Sequence, residues 1–212
     1  MPSRRERPAK PALTRQGIVD AALAILRAEG LDRVTMRRVA AAVDSGHASL
    51  YVYVRDTEDL HAQILDGLLG ELAAPTTGSW RDRLKALLTG YGELLRRHPG
   101  IARMAMSTQP SGPNYRALVE SVLALLHAGG VSDHAAAWGV DLLLLYPTAI
   151  AVEHADPEQS ATKARTLAEL PVADPAEFPH MARLGAALVD GTGPERADWA
   201  LDVLIDGLRS SP

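Results

Sequence analysis

Residues 35–56 read TMRRVAAAVDSGHASLYVYVRD, and the fold turns on how this run divides. Thr35 is a helix-capping residue type. Val39, Ala40 and Val43 follow it at helical spacing, which predicts a short helix with one inward face. Asp44 and Ser45 are turn formers. Gly46 to Tyr51 predict a second short helix, anchored inward by Leu50. Only 4% of the chain is aromatic, so Tyr51 and Tyr53 beside a polar turn need a purpose other than core filling.

Two short helices joined by a tight turn form a helix-turn-helix. Such a pair can place its second helix in the DNA major groove with its first residues at base edges. In that placement Gly46, Ala48 and Ser49 let the backbone come close to a duplex, and His47 offers a donor or acceptor to a base. The hydroxyls of Tyr51 and Tyr53 suit phosphate oxygens, and the helix starts at Thr35 and Ser45 favour anions. Arg37 and Arg38 sit beside this surface, and Arg55 follows it.

The charge distribution points the same way. The net charge is −4, yet residues 1–40 carry nine Lys/Arg against four acids, so the first forty residues are at +5 and the remainder at −9. A basic end on an acidic body predicts a polyanionic partner confined to that end. Residues 1–12, with three prolines and five charges, are expected to be a disordered basic arm. No apolar segment follows the basic start, so no signal peptide is expected and a cytoplasmic location is.

Outward from the motif, nearly every segment reads as helix. Thr14 caps a helix through Ile18, Ala22, Ile25 and Leu26 that stops at Gly30. Asp56 caps another with Leu60, Ile64 and Leu68 inward. Pro75–Gly78 marks a joint between residues 13–74, a DNA-binding unit, and residues 79–210, a larger helical unit. Ser79 and Asp82 have the spacing of a capping box. Helices then follow through Tyr91 and Leu95, around Ile101–Met106, through Tyr115–Leu126, from Ser132 to His154 with Pro147 inside, from Asp174-Pro175, and from Gly193-Pro194 to Leu208. The fold class is therefore all-α.

The stretch from Ala135 to Val152 approaches membrane-span length, but it holds Asp141 and Pro147 and lacks flanking basic clusters, so a buried helix is expected. This helix and the last one are apolar around most of their circumference. In so small a domain that favours burial against a second subunit, through residues 132–154 and 194–208. There is no cysteine, and none of the seven histidines pair at four-residue spacing, so neither thiol chemistry nor a helix-borne metal site is expected. No cofactor is expected either.

The ordered set IVDAALAILRAEGLDRVTMRRVAAAV, then SLYVYVRDTEDL, resembles the DNA-binding domain of the tetracycline-repressor (TetR) family of bacterial regulators over Leu13–Leu69. The remaining residues fit that family's helical ligand-binding half in outline, and WALDVLIDGL is similar to the close of many members. The resemblance implies a homodimeric repressor that leaves double-stranded operator DNA when a small-molecule effector binds its C-terminal half. It places Arg37, His47 and Ala48 at positions that reach bases. Thr35, Ser49, Tyr51 and Tyr53 match positions that hold phosphates or sit against the groove wall. The chain departs from the family at Asp44, where Gly is usual, and at Ser45, where a small apolar residue packs. Tyr53 replaces His or Trp, and Thr57 replaces a Lys, for which Arg55 is a substitute.

An effector pocket among helices should be apolar with a few polar groups. Its candidate lining is Tyr91, Met104, Met106, Tyr115, Trp138, Leu142, Tyr146 and Phe178, with Gln109, His98, Glu153 or His180 as polar tips. Two other functions share this composition. A small all-α enzyme lacks any nucleophile elbow, phosphate loop or paired His/carboxylate set to support it. A helical interaction module that has lost DNA binding rests on the departures in the turn.

Overall fold

The computed structural model describes residues 12–108, 110–169 and 174–211. The expected basic arm (residues 1–11 of it) and Gln109 lie outside the described residues. Those described fold into eleven α-helices, with short 3-10 turns at Leu31–Arg33 and Gly185–Leu188.

The first four helices are α1 (Arg15–Glu29), α2 (Met36–Ala42), α3 (His47–Leu50) and α4 (Thr57–Leu69). Each start is chemically determined: Thr14, Thr35 and Asp56 accept hydrogen bonds from the Gly17, Arg38 and Asp59 amides. Their shared core is Ile18, Ala22, Leu26, Val39, Leu50, Leu60 and Ile64, all buried. A four-residue helix such as α3 cannot persist alone. Leu50, fully buried, and Val54 behind it fasten it to that core.

The larger group comprises α5 (Trp80–Arg97), α6 (Pro99–Ala105), α7 (Pro113–Ala128), α8 (Asp133–Glu153), α9 (Pro157–Glu169), α10 (Pro179–Leu184) and α11 (Gly193–Ser210). Ser79 and Asp82 form the expected capping box on α5. α5 buries Leu84, Leu87, Leu88, Tyr91, Leu94 and Leu95, and packs on α7 and α8. α8 is long and apolar enough to cross a membrane, but it packs against α5, α6, α7 and α11. Its inward face includes Gly139, Leu143 and Pro147; its outward stripe is Trp138, Leu142 and Leu145.

α11 buries Leu201 and Ile205. Beside them, Asp198, Asp202 and Asp206 stand one turn apart and meet two cations of α5. Lys85 Nζ lies 2.6 Å from Asp198 and 2.7 Å from Asp202; Arg81 lies 2.9 Å from Asp202 and also pairs with Asp206. Trp199 and Val203 remain outward.

Two expectations need correction. A helix beginning at Asp174-Pro175 does not form. Asp174 instead closes a tight turn, with Oδ1 accepting the Ala176 amide and its carbonyl accepting the Phe178 amide, and α10 starts only at Pro179. α9 is not anticipated, because the segment is polar on average and its apolar stripe is alanine apart from Leu167. It starts because Asp156 Oδ1 accepts the Glu158 and Gln159 amides.

Candidate nucleic-acid interface

The turn between α2 and α3 is set by backbone hydrogen bonds. The Asp44 amide donates to the Ala41 carbonyl (3.1 Å) and the Ser45 amide to the Ala40 carbonyl (2.9 Å). This is the Schellman closure of a helix, whose penultimate residue must be left-handed. Asp44 accordingly has φ +47°, the one non-glycine residue with positive φ among those described. Glycine is the unstrained choice there, which gives the departure at Asp44 its physical meaning. Gly46 is the N-cap of α3, so the helix is one residue shorter at its start than the spacing predicted.

With the turn fixed and Leu50 anchored, Gly46, His47, Ala48 and Ser49 are all exposed at one tip. The His47 and Tyr51 rings meet edge to face at 5.2 Å. Tyr51 is 50% exposed and Val52 79%. Val52 was missed by sequence reasoning; it stands on the opposite side of the turn from Leu50 and Val54, a pattern that could have flagged it. Thr35 and Arg37 are exposed on the same two-helix unit.

Tyr53 and Arg38 make intramolecular contacts that the sequence does not predict, whereas Arg55 is exposed. Tyr53 does not leave its hydroxyl to a phosphate. It donates to the Leu13 carbonyl at 2.7 Å, clasping the residues before α1 to the segment that follows α3. A phosphate accepts rather than donates, so that proton is already committed. Arg38 pairs with Glu29 of α1. Arg55 extends into solvent, its Nε 3.6 Å from Asp59, while its amide donates to the same carboxylate at 2.9 Å. Burial of Asp59 opposes ionisation, but the Arg55 amide, Gln63 and the nearby arginines outweigh it and hold the carboxyl below its usual range.

The pocket candidates do not converge. Tyr91 is buried and bonded to Thr148 at 2.9 Å. Thr148 donates to the Leu144 carbonyl (2.8 Å), so the Tyr91 phenol is the donor in that pair. Burial raises the Tyr91 pKa, as it does that of Tyr146. Met104, Tyr115 and Tyr146 pack partly buried against the same core. Trp138 and Leu142, in contrast, lie on the outward stripe of α8, and Met106 and Phe178 are exposed. Aromatic and aliphatic residues occur on both faces of α8, so residue type alone did not separate them. A groove of about 730 Å³ opens elsewhere, between α1, α4 and the start of α7. It is lined by polar residues including Arg15, Asp59, Gln63, Asp66 and Asn114, and by none of the eight candidates.

Residues 18–64 match the family described as bacterial regulatory proteins, tetR family, and residues 72–211 match the tetracyclin repressor-like C-terminal domain. The chain is 37% identical over 127 residues to the HTH-type transcriptional repressor DrrR1 of Streptomyces coeruleorubidus, covering 58% of this chain and 47% of that protein. It spans about half the length of the curated relatives it matches first. Among solved structures it is similar to SCO7704 of Streptomyces coelicolor, described as a transcription regulator, at 47% identity, with 96% and 98% of the two chains covered and a TM-score of 0.80. ActR of Streptomyces coelicolor, solved in complex with actinorhodin, is 34% identical, with 93% and 96% covered and a TM-score of 0.79.

Proposed function

Because the chain belongs to the tetR family of bacterial regulatory proteins, we propose that it is a homodimeric transcriptional repressor released from operator DNA by a small-molecule effector. The observation that carries this reading is the exposed tip of Gly46, His47, Ala48 and Ser49, held out from the core by buried Leu50. Residues 13–74 form the DNA-binding unit and residues 79–210 the regulatory one. His47, Ala48 and Arg37 face bases. Thr35, Ser49, Tyr51 and Arg55 reach phosphates, and Arg38 and Tyr53 brace the unit from behind.

The outward stripes of α8 (Trp138, Leu142, Leu145) and α11 (Trp199, Val203) join two copies. Two heads on one dimer then engage two half-sites of a near-palindromic operator. The effector site lies beside Met104, Tyr115 and Tyr146, the candidates that pack partly buried against the core. The ActR complex with actinorhodin supports an effector-bound state for this chain and makes actinorhodin the first probe. Catalysis has no part in this reading, and operator DNA places the protein in the cytoplasm.

The test is gel retardation of a duplex spanning the region upstream of the protein's own gene. Binding should be specific and weaken steeply as salt rises, since each neutralised phosphate contributes about −0.9 to the slope of log K against log salt. Binding that ignores both sequence and salt would sink the reading.

A further inference from the structure

α7 begins at Pro113 behind Gly112, which has no side chain with which to cap it. The cap is supplied by another helix. Asp66 of α4 accepts the Tyr115 amide on Oδ1 at 2.8 Å, the bond an N-cap side chain ordinarily makes to the third residue. Asn114 Nδ2 donates to the Asp66 carbonyl at 2.9 Å and to its Oδ2 at 3.3 Å. Asp66 is only 8% exposed, and a carboxylate so buried is tolerated only while its partners stay in place. The fit leaves no slack: a Cβ at Gly112 would overlap the Asp66 carboxylate, and one at Gly70 would press on the Asn114 amide at 3.0 Å.

The opposite end of α4 holds the recognition turn. Asp59 in its first turn accepts the Arg55 amide, and Gln63 Nε2 donates to the Tyr53 carbonyl at 3.4 Å. One 13-residue helix therefore grips the DNA-facing turn at its start and the first turn of α7 near its end. We propose that Asp66 is the positioning residue through which α7 sets the angle of α4, and with it the recognition helix. This rests on the DNA-binding reading above. Linkage is reciprocal, so DNA held at the tip must in turn change the stability of the first turn of α7.

The experiment is amide hydrogen exchange on the full-length protein, free and bound to a duplex that the wild type selects from a randomised pool. In wild type, binding should slow exchange over residues 47–54 and, at least threefold, over residues 113–118. Asp66→Ala should keep the protection at 47–54 and lose the change at 113–118. Asp66→Asn, whose amide oxygen can still accept the Tyr115 amide, should restore it. Asn114→Ala keeps the cap and removes two bonds, so it tests the same joint if Asp66→Ala does not fold; the response of α7 should drop at least twofold. An α7 response absent in wild type, unchanged in Asp66→Ala or Asn114→Ala, or not restored by Asp66→Asn overturns the latch and leaves DNA binding intact. No protection at 47–54 in wild type overturns the DNA-binding reading itself, and the latch with it.

Discussion

Among the described residues, two surfaces that expose aromatic side chains, the tip of α3 and the outward faces of α8 and α11, are chemically unlike. At the tip, Tyr51 and Val52 stand among Gly46, His47, Ala48 and Ser49, beside an exposed Arg37. On α8 and α11, Trp138 (73% exposed) and Trp199 (68%) stand among Leu142, Leu145 and Val203. Exposure of an aromatic therefore carries different information at the two surfaces. Small residues and hydroxyls around an aromatic suit a polar, hydrated partner, whereas branched aliphatics around one suit another apolar surface.

The contrast is broken most severely at the apolar faces. Trp138→Glu combined with Trp199→Glu should convert a dimer to a folded monomer, read by light scattering. Operator affinity should fall by about 100-fold or more, because the second head no longer binds at high effective concentration. At the tip, Tyr51→Ala should leave the dimer and the melting temperature unchanged and weaken operator binding by roughly tenfold, the effect of one or two lost groove contacts. Titration by fluorescence anisotropy would show it, and a shift in dimerisation instead would mean that the two surfaces are not separable.

Smaller effects sharpen the comparison. Asp44→Gly relieves a left-handed residue at a Schellman closure, for a gain of about 1 kcal/mol and a rise of about 2–4 °C in melting temperature. The smallest effect is on pH. His61 Nε2 is buried without a hydrogen-bond partner, and burial lowers the His61 pKa despite a backbone bond with Val34. Burial, reinforced by Arg97, also lowers that of His98. Both groups take up protons less readily in the folded state than when unfolded. Their contribution is thus complete above about pH 6.5 and is lost as the pH falls below it. Calorimetry between pH 7.5 and 5 should show the melting temperature falling, with a shallower slope in His61→Gln.

What the sequence made legible was local chemistry. Thr35, Asp56 and Ser79 each announce a helix because a short polar side chain beside an apolar period has one economical use. The frame of the two short helices could be read for the same reason, down to the turn at Asp44. Where competing local options existed, the reading failed. Asp174-Pro175 serves a tight turn as well as a helix start, and the stripe of α9 is mostly alanine, too weak to stand out in a polar segment. The commitments of Tyr53 to Leu13 and Arg38 to Glu29 depend on how α1 lies against the unit, which spacing does not encode. The pocket was least legible, since Trp138 and Tyr146 share a helix and a chemical type and differ only in the face they occupy.

Two of the three carboxylates that α11 directs at Arg81 and Lys85, Asp198 and Asp206, are largely exposed, and such pairs add little strength in water. Their geometry matters more than their energy. Turning α11 about its axis by a single residue, roughly 100°, would carry Asp198, Asp202 and Asp206 away from both cations together. The same turn would swing Trp199 and Val203 off the outer surface. The ladder thus acts as a key in a keyway: it fixes the rotational phase of the helix, and the same apolar edge faces outward each time.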